Sequence, residues 1–206
     1  MSGLDLDPWL PPYPSLADRL WTPEGSSPRL RLGVLLGGSL VLLVGAAKAN
    51  VPFWPVPLSL FPMAVLLTSS VLGLRLGLLA VCLYLVLGVG GLPVFAAAPE
   101  RGNGFSYLLG PEGGYLIGAL AAVIVVGIVS RQGWDREARG VLFAVAFGMA
   151  LQIVCGAGWL MWIAGVEEAW RGAVLPFLFV FFAEVFIVTF IVSTAWRLSQ
   201  RRNRWF

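Results

Sequence analysis

Six long stretches carry no charged side chain: Leu32–Ala47, Ala49–Leu74, Leu76–Pro99, Gly113–Ser130, Gly140–Val166 and Gly172–Ala183, the last resuming past Glu184 as far as Trp196. A helix needs about 20 apolar residues to cross roughly 30 Å of hydrocarbon. With 58% of its 206 residues hydrophobic and 12% charged, the chain has too little polar surface to cover a core in water. Pro52, Pro55 and Pro57 interrupt the second stretch, so regular helix is excluded there. The expected fold is an all-α membrane protein of six transmembrane helices, near 30–48, 58–74, 76–91, 113–130, 140–165 and 172–196.

An even number of crossings puts both termini on one side. On that side fall Arg19, Arg29, Arg31, Arg75, Arg131, Arg136, Arg139, Arg197, Arg201, Arg202 and Arg204; opposite them fall only Lys48, Arg101 and Arg171. Eleven cations against three predict cytoplasmic termini in an inner membrane. Residues 1–28 are acidic and Pro-rich rather than basic and apolar, so they read as an irregular cytosolic arm and not as a cleaved signal peptide. The membrane domain is expected over 29–197, and 198–206 is a basic tail suited to orientation and anionic lipid, with no call for nucleic acid.

Chemistry is narrowed by what is missing. There is no histidine, Cys82 and Cys155 stand singly inside predicted spans, and the only lysine, Lys48, follows no Gly-rich phosphate loop. Neither a metal site, nor a cofactor, nor ATP hydrolysis is expected. A carboxylate enzyme needs its acids at one depth, yet Glu184 alone lies deep in the predicted bundle, so binding and transport outrank catalysis.

Proline and glycine concentrate between 50 and 118, in "NVPFWPVPLSLFP", "LGLRLGLLAVCLYLVLGVGGLPVF" and "ERGNGFSYLLGPEGGYLIG". Irregular backbone at membrane depth survives where protein or a polar cavity satisfies its N–H and C=O groups, which predicts a small-molecule pocket near the outer face. Its candidate polar groups are Asn50, Ser59, Tyr84, Arg101, Asn103 and Tyr115, with Trp54 and Phe95 as stacking walls. Structural roles compete: Ser59 can cap a helix, Tyr84 can bond a neighbouring helix, and Asn103 can serve a turn. Glu184 is expected to face the bundle, with Gln152 as its simplest partner.

At these stretches the sequence resembles the bacterial biotin transporter family BioY, through "PVPLSL", "LGLRLGLLAVCLYLVLGVGGLPVF", "GPEGGYLIG", "GAGWL" and "LPF" in order across residues 50–180. The resemblance implies a vitamin-capture subunit, with biotin as candidate ligand, that works with a transmembrane coupling protein and two cytosolic ATPases. It also implies docking through small residues on the first helix, here Gly33, Gly37, Gly45 and Ala49. Where the family shows "PVPxTLQT" and "PGDLLK", this chain reads "PVPLSLFPMA" and "FVFFAE". Phe61, Phe181 and Glu184 therefore stand where an amide, an aspartate and a lysine are usual. These replacements leave open a different ligand, or a structural subunit of a larger membrane complex.

Overall fold

The computed structural model of the chain describes residues 15–20, 27–51, 58–96, 98 and 104–202. Apart from one short strand pair, the described residues are helical: α1 (Leu16–Leu20), α2 (Pro28–Lys48), α3 (Phe61–Val89), α4 (Phe105–Leu108), α5 (Gly113–Arg131), α6 (Ala138–Ala164), α7 (Val166–Ala169) and α8 (Leu175–Arg202). The pair joins β1 (Asn50–Val51) to β2 (Leu58–Ser59) antiparallel, Asn50 opposite Ser59. A π-helical turn, Trp170–Val174, leads into α8. Five helical stretches are long and apolar enough to cross a membrane, in α2, α3, α5, α6 and the Val180–Gln200 part of α8, as befits a multi-pass membrane protein.

The difference from the six predicted helices lies in residues 58–91, where a single helical run is found. That run is not straight. Gly73 sits at φ 73, ψ −174, a conformation that glycine adopts without a Cβ penalty. The rings of Phe61 and Tyr84 stack at 5.0 Å, whereas 23 residues of straight helix would separate them by about 35 Å. α3 is thus two antiparallel arms, 61–72 and 74–89, folded at Gly73, and the break expected near Arg75 lies two residues from the observed one. The arms meet closely: a Cβ on Gly77 would lie 3.2 Å from the Ser69 Cα. Ser69 also donates from Oγ to the Val123 carbonyl at 3.2 Å, which ties this hairpin to α5.

Within lipid the helices gain little from hiding apolar surface, so close backbone approach must supply the contact energy. Glycines on α5 allow it. A Cβ on Gly118 would meet the Gln152 Cα at 2.7 Å, and one on Gly127 would meet the Leu74 Cα at 2.5 Å. One apolar cluster joins α2, α3 and α5 through Leu43, Val65, Val81 and Val123. A second joins α3, α5, α6 and α8 through Leu66, Val126, Met149 and Val188, and includes Leu16 and Trp196.

Leu16 corrects the irregular arm expected over residues 1–28. Residues 16–20 are helical, with Leu16 and Ala17 buried. The helix starts because the Ser15 N–H and hydroxyl both donate to the Asp18 carboxylate, at 2.8 and 2.7 Å, and Arg31 binds the same group from α2. Burial pushes the Asp18 carboxyl upward, but the hydrogen bonds from Ser15 and Arg31 outweigh it and hold the group below its ordinary value. Arg19 then lies 5.7 Å from the Trp196 ring centre and Arg136 5.8 Å, so α1, the α5–α6 connection and α8 meet at one end of the bundle.

The α5–α6 connection contains a 3-10 turn, Trp134–Arg136, that buries Asp135. Burial pushes its carboxyl up to about 6 from 3.8, against the smaller opposing pull of Ser130, Arg136 and Trp196. Because the folded value is the higher one, the folded chain holds this proton more tightly. The stability gained is complete below the unfolded value and is lost as pH rises through 6. Thermal unfolding in detergent is therefore expected at lower temperature at pH 7 than at pH 4, with Asp135→Asn flattening the slope between them. An identical slope in the variant would assign the effect to another group.

Candidate functional site

At the end of the bundle opposite α1, the chain between β1 and α5 is held by side chains that the sequence marks as candidate ligand groups. Ser59 accepts the Phe61 N–H at 3.2 Å, opening α3, and its Oγ lies 3.3 Å from the Ala46 and Ala47 carbonyls at the end of α2. It clamps two helix ends in the manner of a cap. Lys48 donates to the Ala98 carbonyl, pinning the loop that follows the second arm of α3.

Between these clamps runs an aromatic ladder. Phe61 stacks on Tyr84, Tyr84 meets Phe95 edge-on at 5.6 Å, and Phe95 stacks on Tyr107 at 4.5 Å. Tyr84 and Phe95 are buried, and the Tyr84 hydroxyl donates to the Val94 carbonyl at 3.1 Å. The Phe95 ring occupies the space a side chain on Gly88 would need, which explains the pairing of "LGVGG" with "LPVF" in physical terms. Tyr107 and Phe61 complete the ladder, although nothing in their local sequence distinguishes them from lipid-facing aromatics.

Tyr115 packs its ring on Gly156 of α6, and Gly114 on α5 faces Cys155 and Trp159 just as closely. Trp159 donates from Nε1 to the Gly110 carbonyl at 2.9 Å, so the "GPEGGY" turn is anchored to α6. Within the bundle, Glu184 and Gln152 are buried, 3% and 1% exposed. The predicted carboxyl-to-amide bond between them is not formed: Glu184 Oε2 and both polar atoms of the Gln152 amide have no hydrogen-bond partner. Helical phase explains why, since the Gln152 Cα lies against Gly118 of α5 while Glu184 belongs to the face of α8 that carries Val185 and Val188. Phe181 packs in that same α8 cluster.

Gly33, Gly37 and Gly45 on α2 have no atom within 4 Å of where a Cβ would stand, and Ala49 is exposed, although its carbonyl accepts the Leu60 N–H at 3.3 Å. Trp54, Arg101 and Asn103 lie outside the described residues, as does the side chain of Asn50. The structure thus brings Ser59, Tyr84 and Phe95 together, sets Tyr115 on the neighbouring α5–α6 seam, and leaves Glu184 apart on α8.

Several known proteins share this plan. The chain is 36% identical over 135 residues to a probable biotin transporter BioY of Pyrococcus horikoshii, covering 64% of this chain and 75% of that protein. It is 41% identical over 91 residues to the biotin transporter BioY of Thermotoga maritima, covering 44% and 52%. It is 29% identical over 178 residues to the biotin transporter BioY2 of Lactococcus lactis, covering 84% and 93%. The fold is similar to the crystal structure of the S-component for biotin from an ECF-type ABC transporter, at TM-score 0.65 and 21% identity over 84% of this chain and 92% of that one. Since residues 26–201 match the BioY family model, the chain belongs to the BioY family.

Proposed function

We propose that this chain is the substrate-capture subunit of an energy-coupling factor transporter in a bacterial inner membrane, and that its ligand is biotin. Family membership over nearly the whole chain carries the reading. A capture subunit does no chemistry on its ligand, in keeping with a chain that needs partners to energise uptake: a transmembrane coupling protein and cytosolic ATPases.

In this reading the chain crosses the membrane six times, with both termini in the cytoplasm. The two arms of α3 count as separate crossings. Support comes from the cations. Arg19 and Arg136 meet at Trp196, and Arg75 and Arg131 share one cavity, so the residues of four different segments gather at a single end. That is the pattern of a cytoplasmic face.

The ligand would lie at the opposite end, walled by the aromatic ladder and by the two segments that carry Trp54 and Arg101 with Asn103. Of the three cations assigned to that end, Lys48 is engaged by Ala98 and Arg171 pairs with Glu167 at 2.7 Å. Arg101 is the remaining candidate for the biotin carboxylate. A charge-assisted bond contributes roughly 1.5–3 kcal/mol, so Arg101→Ala is expected to weaken biotin by about one to two decades. The direct test is mass spectrometry of solvent extracts from the purified chain. Stoichiometric biotin supports the reading. Its absence from protein made in biotin-replete cells favours a different ligand or a structural subunit, the reading to which buried Phe61 and partly buried Phe181 lend weight.

A further inference from the structure

The fold at Gly73 leaves a partly open cavity of about 140 Å³ between α1, the bend of α3 and the last turn of α5. It lies at the end of the bundle where the arginines gather, remote from the aromatic ladder. Its charged lining consists of Arg75, Arg131 and Asp18. Asp18 is already occupied by Ser15 and Arg31. Arg75 and Arg131 make no ion pair or hydrogen bond among the described residues. Two guanidinium groups thus line one cavity, and its one carboxylate among the described residues, Asp18, is paired with Arg31.

The other walls point the same way. Leu72, Leu74 and Leu76 make one side apolar. The second arm of α3 starts after Gly73, so its first-turn amides, the positive end of a helix dipole, also lie at this wall. Ser130 lines the cavity and is only 8% exposed, but its hydroxyl is turned to Asp135, whose charge it favours. Two guanidinium groups at one cavity suit phosphate oxygens, which accept from such donors. The leucine wall suits a ligand that is apolar beyond its phosphate.

We propose that this cavity binds the phosphate of an anionic phospholipid headgroup, held between Arg75 and Arg131. The lipid's acyl chains would leave along the leucine wall. The site is independent of biotin capture and rests only on the chain spanning a membrane. Headgroup binding would brace α1 against α3 and α5 where the hairpin turns, because all three elements line the cavity.

The experiment is native mass spectrometry of the full chain in detergent, titrated in parallel with phosphatidylglycerol, phosphatidylcholine and inorganic phosphate. One phosphatidylglycerol is expected to be retained per chain in preference to phosphatidylcholine. The Arg75→Gln/Arg131→Gln double variant should reduce that retention at least tenfold, and Arg75→Lys/Arg131→Lys should recover part of it because the charges are kept. Biotin retention should be the same in all three proteins. Unchanged phosphatidylglycerol retention in the glutamine variant, or equal retention of phosphatidylcholine, would overturn the site. Displacement of the lipid by inorganic phosphate at equal concentration would overturn the lipid assignment in favour of a free anion.

Discussion

Replacing Gly33 and Gly37 together with leucine is expected to abolish copurification of the coupling protein while leaving biotin retention unchanged. The two effects separate because α2 is the most weakly embedded of the long helices. Its outward side exposes Leu32, Val34, Val41 and Leu42, and no atom of the described bundle lies within 4 Å of a Cβ at either glycine. Leucine at these sites therefore creates no internal clash. A partner helix seated on the groove would be displaced, since interfaces built on small residues depend on backbones approaching closely. In a complex held mainly by such packing, two leucines cost enough to reduce recovery of the partner to background. Solubilisation of native membranes in mild detergent, followed by affinity purification of each variant, measures both quantities. Full recovery of coupling protein with the leucine variant would move the docking surface elsewhere, and loss of biotin together with the partner would point to a damaged fold.

Those glycines also show how far a sequence of this kind can be read. Charge placement in a nearly uncharged chain is informative because each cation must reach water. The sequence therefore sorts Arg75 and Arg131 to one end, where both line one cavity. The break in residues 58–91 is legible for the same reason, through a lone Arg75 inside an apolar run. That the run folds back at Gly73 is less so, since the chain is equally apolar on both sides and glycine is frequent throughout. The docking of α1 left no local signal. It depends on Leu16 entering the cluster around Trp196 and on a pairing of Asp18 with Arg31, thirteen residues on, neither of which periodicity reveals.

At the end of the bundle opposite α1 the sequence marks where the chain is punctuated, but not what each group does. Runs such as "GLPVF" and "GPEGGY" imply close approach of backbones, and Gly88 under Phe95 and Gly114 against Cys155 bear that out. The role of each polar group was harder to read. Ser59 and Tyr84 spend their hydrogen bonds on backbone carbonyls, the ordinary fate of hydroxyls in a bundle without water. The bond imagined between Gln152 and Glu184 failed because helices that are apolar all round give no face from which to set their rotation.

Glu184 carries the last expectation. A carboxylate 3% exposed within a membrane-spanning stretch, without a hydrogen-bond partner at Oε2, is expensive to keep ionised. Neighbours on its own helix offer no relief: Val185 and Val188 are buried beside it, and Phe182 and Phe186 turn outward. In the family pattern a lysine stands at this position. If Glu184 holds that ligand-facing place, an ionised side chain here repels the biotin carboxylate, and a protonated one does not. Glu184→Gln is therefore expected to bind biotin more tightly than the wild type. Glu184→Lys should bind about two decades or more tighter, because a charge-assisted hydrogen bond replaces the repulsion. Isothermal titration of the three proteins with biotin measures all of this. Equal affinities in the three would remove Glu184 from the ligand site and leave it as a packing residue of α8.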